Sequence, residues 1–158
     1  MHNTKIDVPE DKRIELVEML NQRLADVADL KSQAKQAHWN VKGMHFIALH
    51  ELFDKVATAA DEHTDLIAER ITTLGGTAYG TVRQAAQKSS LAEYPLEITD
   101  GTAHVDALSS ALADFGKKVR ADIDRAGEMG DQDTADLFTE VSRETDKNLW
   151  FVEAHIQS

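Results

Sequence analysis

Four long apolar stripes at helical spacing, each broken only at glycine, limit this chain to an all-α fold. Leu16, Leu20, Leu24, Val27, Leu30, Ala34, Ala37 and Val41 recur at intervals of three and four and mark an amphipathic helix from about residue 10 to 41, with Pro9 suited to its first turn. After Lys42 and Gly43 a second stripe runs Leu49, Leu52, Phe53, Val56, Ala60, His63, Ile67, Ile71 and Leu74, and Gly75 and Gly76 end it. Val105, Leu108, Leu112, Phe115, Val119 and Ile123 form the third. Phe138, Val141, Thr145, Leu149, Val152 and Ile156 form the fourth, with Gly127 and Gly130 between them. The segment joining the second and third, "GGTAYGTVRQAAQKSSLAEYPLEITDG", is too long for a tight turn and predicts one short helix around Val82 to Lys88. Two helical hairpins joined by one long crossover is the ferritin-like arrangement of a four-helix bundle.

At 158 residues the chain suits one domain, residues 1–158, with residues 1–9 as a flexible N-terminal tail. The absence of cysteine closes the disulfide and thiol-nucleophile routes. No apolar run approaches the roughly 20 residues that cross a bilayer, and "MHNTKIDVPEDKR" is too polar for a signal peptide, so a cytoplasmic location is the expectation. With 28 acidic against 17 basic residues the net charge is -11, which repels a phosphate backbone and favours cations as partners.

Three of the 7 histidines, His38, His45 and His50, flank one turn. At roughly 100° per residue, His50, Asp54, Asp65 and Glu69 share one arc of the second helix, turned away from its apolar stripe. His50 and Asp65 are about 22 Å apart at 1.5 Å per residue, beyond any shared coordination sphere, so one chain cannot close a metal site with both. If two copies of this helix pack antiparallel about a two-fold axis, His50 and Asp54 of one lie opposite Asp65 and Glu69 of the other. An isologous dimer then has two identical sites. The turn at Lys42 and Gly43 sets His38 level with His50. Two imidazoles with three carboxylates suit iron or manganese, iron(II) first, with zinc or cobalt as surrogates. The Glu-x-x-His spacing of an intrasubunit di-iron bundle occurs nowhere in the chain.

The segment "HWNVKG", the spacing of His38, His50 and Asp54, the stretch "DLIAERITTLGG" from Asp65 and the ending "DKNLWFVEAHI" together resemble the Dps proteins, the DNA-binding proteins from starved cells, over roughly residues 14–157. The resemblance implies a hollow dodecamer that oxidises iron(II), preferably with hydrogen peroxide, and stores ferric mineral, protecting the cell against oxidative damage. It implies a ferroxidase site in which His38, His50 and Asp54 come from one subunit and Asp65 and Glu69 from its two-fold mate. Glu69 and the histidines would hold the tight iron, and Asp54 would help the weaker one. It places Trp39 beside the centre, where the indole would quench a stray oxidising equivalent; a large aromatic filling the dimer interface is the other reading. It also implies that Asp131, Asp136 and Glu140 line three-fold pores for iron entry, against the plainer reading of acids at a helix start.

His2, His45, His63, His104 and His155 are read as solvated or satisfied side chains, with His63 in the core. The rival function is a DNA-compacting shell. The N-terminal segment offers Lys5, Lys12 and Arg13 against Asp7, Glu10 and Asp11, and "EAHIQS" carries no Lys or Arg, a departure from lysine-rich DNA-binding tails. Twelve tails could still add contacts by avidity. A third reading, an acidic helical scaffold without chemistry, predicts no iron-dependent consumption of peroxide.

Overall fold

The computed structural model describes residues 1–157, and five helices make up the regular structure: α1 (Glu10–Asn40), α2 (Phe46–Thr73), α3 (Val82–Lys88), α4 (Gly101–Glu128) and α5 (Gln132–Glu153). α1 packs along α2 and α4 along α5; the two hairpins meet through α1 with α4 and α2 with α5. The apolar stripes close on one core in which Leu16, Leu20, Leu24, Phe53, Ile67, Ile71, Leu108, Leu112, Phe115 and Phe138 are fully buried. The result is the ferritin-like bundle the periodicity predicts. Ile156 departs from the fourth stripe: α5 ends at Glu153, and Ile156 lies in the turn beyond it, exposed.

The helix starts follow from side chains that satisfy unpaired backbone N–H groups. Asp100 accepts from the amides of Thr102 and Ala103 at the start of α4, and Thr81 accepts from Gln84 at the start of α3. The α1–α2 turn depends on Gly43 at φ 111°, a left-handed conformation that a Cβ disfavours. This turn is also tied to the end of the crossover, since the Lys42 amide donates to the Thr99 carbonyl just before α4.

The crossover lies along α1, and polar side chains of α1 hold it there. Gln22 donates to the Lys88 carbonyl, Gln33 donates to that of Ala92, and Asp26 accepts from the amide and hydroxyl of Ser90. Asp26 is fully buried and paired with Arg23, which also lies 2.8 Å from Asp122 on α4. Burial pushes the Asp122 carboxyl above the usual range, against the pull of Arg23 and Arg125. Before α1, the His2 amide donates to the Gly75 carbonyl and Arg13 reaches the carbonyls of Val8 and Leu74. No helix among the described residues is long and apolar enough to cross a membrane.

Candidate metal centre

The two hairpin arms bring His38, at the end of α1, against His50, in the first turns of α2. Their rings stack with centroids 3.7 Å apart and 21° between planes. His38 Nδ1 donates to the His50 carbonyl at 2.6 Å, and His50 Nδ1 donates to the His38 carbonyl at 2.8 Å. The His38 carbonyl is available because it falls in the last turn of α1, where the next amide in register, that of Lys42, has turned to Thr99. A carbonyl only accepts, so each Nδ1 carries a proton, and it is Nε2 whose lone pair a metal ion would use. Imidazoles that bind metal are oriented in this way, with the second ring nitrogen engaged by a carbonyl or carboxylate.

Asp54 lies one helical turn beyond His50 on α2, half-buried. Its Oδ1 takes a 2.7 Å ion pair from Lys35, and the same Lys35 Nζ sits 5.7 Å from the centroid of the Trp39 ring. The hydrogen bond from Lys35 is the main reason the Asp54 carboxyl lies below the usual carboxylate range, with the charge of Lys35 and the nearby histidines adding to it. Lys35 went unnoticed in the sequence, where the only signal was its place one turn before His38 and Trp39 on the same helix face.

Asp65 and Glu69 are exposed on the distal half of α2, and among the described residues no side chain pairs with either carboxylate. Among the described residues, no group of three or more His, Asp or Glu side chains in one chain converges to hold a metal ion. Around the two histidines the surface is apolar: Trp39 is 64% exposed, Met44 95% and Ile47 61%, with Phe46 beside them. Leu66, between Asp65 and Glu69, is exposed as well.

The three acids at the start of α5 separate into two kinds. Asp131, expected from the sequence as a pore acid, is instead 4% exposed and held inside the subunit. Both of its oxygens accept from Arg70 Nη2, at 2.8 and 2.9 Å, and it caps α5 through the Thr134 amide and hydroxyl. Burial alone would raise its carboxyl; the Thr134 hydroxyl and the Arg70 guanidinium outweigh that and hold it below the usual range. Only Asp136 and Glu140 remain exposed. Of the other histidines, His2, His45 and His155 are solvent-facing and His63 and His104 are buried, His104 with its Nε2 unpartnered among the described residues. His63, buried in the α2 stripe, donates from Nε2 to Glu144 at 2.9 Å, and His104, buried at the start of α4, meets the Tyr94 hydroxyl through Nδ1 at 2.7 Å.

A bundle of two hairpins with a long crossover, bearing a histidine pair across the α1–α2 seam and a row of carboxylates along the second helix, defines a ferritin-like protein. The ferritin-like domain model matches residues 17–158. The chain is 46% identical over 156 residues to the DNA protection during starvation protein of Agrobacterium fabrum, covering 99% of this chain and 96% of that one. Among solved structures, Mycobacterium smegmatis Dps superimposes with a TM-score of 0.95 at 29% identity, covering all of this chain and 90% of that one. The DPS protein from Vibrio cholerae O1, described as a member of a broad superfamily of ferritin-like diiron-carboxylate proteins, superimposes at 0.91 with 25% identity and covers 99% and 98% of the two chains. This chain belongs to the Dps family of ferritin-like proteins.

Proposed function

We propose that the chain, a single domain over residues 1–158, is an iron-storing ferroxidase whose sites are completed between subunits. The observation that carries this reading is the reciprocal His38–His50 pair. It holds two imidazoles with Nδ1 engaged and Nε2 left for a ligand at an apolar-rimmed face, beside a carboxylate, while the remaining carboxylates of the set are too far along α2 to join them. Antiparallel packing of two α2 helices brings Asp65 and Glu69 of the partner subunit to His38, His50 and Asp54. It also buries the apolar rim, which an isolated subunit leaves in water.

Iron(II) is the substrate of this site. Imidazole nitrogen and carboxylate oxygen suit it and leave room for an oxidant. Two iron(II) ions held side by side give one electron each to one hydrogen peroxide, which ends as water or hydroxide. Supplying the electrons as a pair avoids release of hydroxyl radical. The carboxylates take up the positive charge, and the apolar rim excludes bulk water once the interface closes. Trp39, at the rim, is placed to take up a stray oxidising equivalent.

In the full assembly, a dodecamer, Asp136 and Glu140 line the route by which iron enters, and their negative field raises the local cation concentration. The ferric product accumulates as mineral inside the shell. A DNA-compacting role has less support: the N-terminal segment mixes Lys5 with Asp7, and its His2 amide is bound to Gly75.

The test is anaerobic loading of the purified, sized protein with iron(II), then peroxide, while ferric absorbance and stoichiometry are followed. Two irons oxidised per peroxide, with the ferric product retained in a large soluble particle, supports the proposal. Oxidation no faster than in buffer, with precipitation, overturns it.

A further inference from the structure

Far from the histidine pair, the sequence of α4 sets two rows side by side at a spacing of four: Ala103, Ala107 and Ala111, and next to them Asp106, Ser110 and Asp114. The first row has nothing beyond a methyl group, so the crossover running past it through Pro95 and Ile98 leaves a cleft of about 360 Å³ against the helix, with Gln33 of α1 on its wall. Asp106 and Asp114 line it about 12 Å apart along the helix, at 1.5 Å per residue, and Glu93 lines it from the crossover.

The polar atoms of this cleft want donors. Gln33 is 5% exposed, and its side-chain nitrogen donates to Asp29 and to the Ala92 carbonyl at 3.3 and 3.0 Å. Both partners are acceptors, which fixes the orientation of the carboxamide; its oxygen accepts from no group among the described residues and is not sealed from solvent. The Tyr94 hydroxyl is engaged by His104. Among the described residues, Lys118 is the one cation paired with a cleft carboxylate: its ammonium lies 2.7 Å from Asp114 Oδ2 and 2.9 Å from the Ser90 carbonyl. Asp114 thus already holds an ammonium on an aliphatic stem, with its second oxygen to spare.

We propose that this cleft binds a linear aliphatic polyamine, its methylenes on the alanine row and its ammonium groups on Asp106, Glu93, the Gln33 oxygen and the second oxygen of Asp114. Other ligand classes fail on the same lining. An anion meets three carboxylates. A metal ion needs ligands that converge, and among the described residues no group of three does so. A peptide brings carbonyls as well as amides, and the side chains here, Ser110 apart, have no donor left for them. A polyamine brings donors alone, each of them charged, on a stem that gains by leaving water.

Spermidine is the probe, titrated by calorimetry into the assembled, metal-free protein at fixed ionic strength, because salt screens exposed charge. One saturable site per subunit is expected. Asp106 is exposed, so Asp106→Asn keeps the fold, and it should weaken binding by about fivefold. Ala107→Leu, which fills the floor and leaves the charge alone, should abolish it. Asp124→Asn makes the same change of charge on an exposed acid of α4 outside the cleft and should bind as the parent does. Binding that Asp106→Asn leaves unchanged, or that Asp124→Asn weakens equally, is diffuse attraction to an acidic surface and overturns the site. The absence of saturable binding by the parent overturns it as well. None of these residues is a candidate metal ligand, so either result leaves the ferroxidase reading standing.

Discussion

His38 and His50 fix each other: each ring donates from Nδ1 to the main-chain carbonyl of the other residue, at 2.6 and 2.8 Å, across the seam between α1 and α2. Losing either ring removes a donor nitrogen and also frees its partner to rotate. His50→Ala should lower metal affinity by roughly 100-fold, at the upper end of what orienting partners alone contribute, and His38→Ala should do the same. Zinc(II) or cobalt(II) titration of each variant checks this. A loss confined to one of them would show that the rings act separately.

A site shared between subunits predicts complementation. His38→Ala and Asp65→Ala each damage both sites of their own homodimer. A heterodimer of the two has one doubly damaged site and one intact. Mixing the variants under conditions where subunit exchange is proven should therefore recover iron oxidation that neither shows alone. No recovery would mean that the ligands are not drawn from two chains.

Asp131 ties the start of α5 to Arg70 at the end of α2, so its role is structural. Asp131→Ala removes a cap and leaves a largely buried guanidinium unpaired, and should cost about 3 kcal/mol in denaturant unfolding. Its carboxyl is held below the ordinary value of 3.8, so its contribution is present above that value and lost as pH falls through the lower folded one. Acid unfolding of the parent should be steeper than that of Asp131→Asn in the region below pH 3.8.

His104 is buried, and burial lowers its pKa despite the opposing pull of the Ile98 carbonyl and Asp100. The neutral ring is the form that packs. Its contribution to stability is therefore intact above the ordinary histidine value of 6.5 and lost as pH falls from there towards the folded value. Tyr94→Phe, which strips the ring of its hydroxyl partner, should cost about 1–3 kcal/mol at neutral pH. Urea midpoints at neutral and mildly acid pH, compared between the parent and His104→Phe, should show a weaker pH slope in the variant.

Gly75 has φ 85°, and a Cβ there would lie 2.6 Å from the His2 carbonyl oxygen. Gly75→Ala should destabilise the protein by about 1–2 kcal/mol and lift the N-terminal segment away from the end of α2. Hydrogen exchange at the His2 amide, which donates to Gly75, would register that release.

The helices, their order and the long crossover were legible in the chain because burial of an apolar stripe is a local periodic requirement. Glycine and capping residues mark where each stripe must stop. The row of His50, Asp54, Asp65 and Glu69 was legible for the same reason: helical geometry alone sets which side chains share a face. Ile156 misled because an apolar residue in phase does not show that the backbone is still helical there. What only the tertiary structure decided are the contacts between residues distant in sequence. The ring nitrogen left free on His38 depends on a carbonyl of α2. The charge facing Asp54 depends on Lys35 from α1, and the burial of Asp131 depends on Arg70, 61 residues earlier. Spacing along one helix carries no information about which polar atoms of another helix will meet it. Those pairings set the protonation, charge and availability of each candidate ligand.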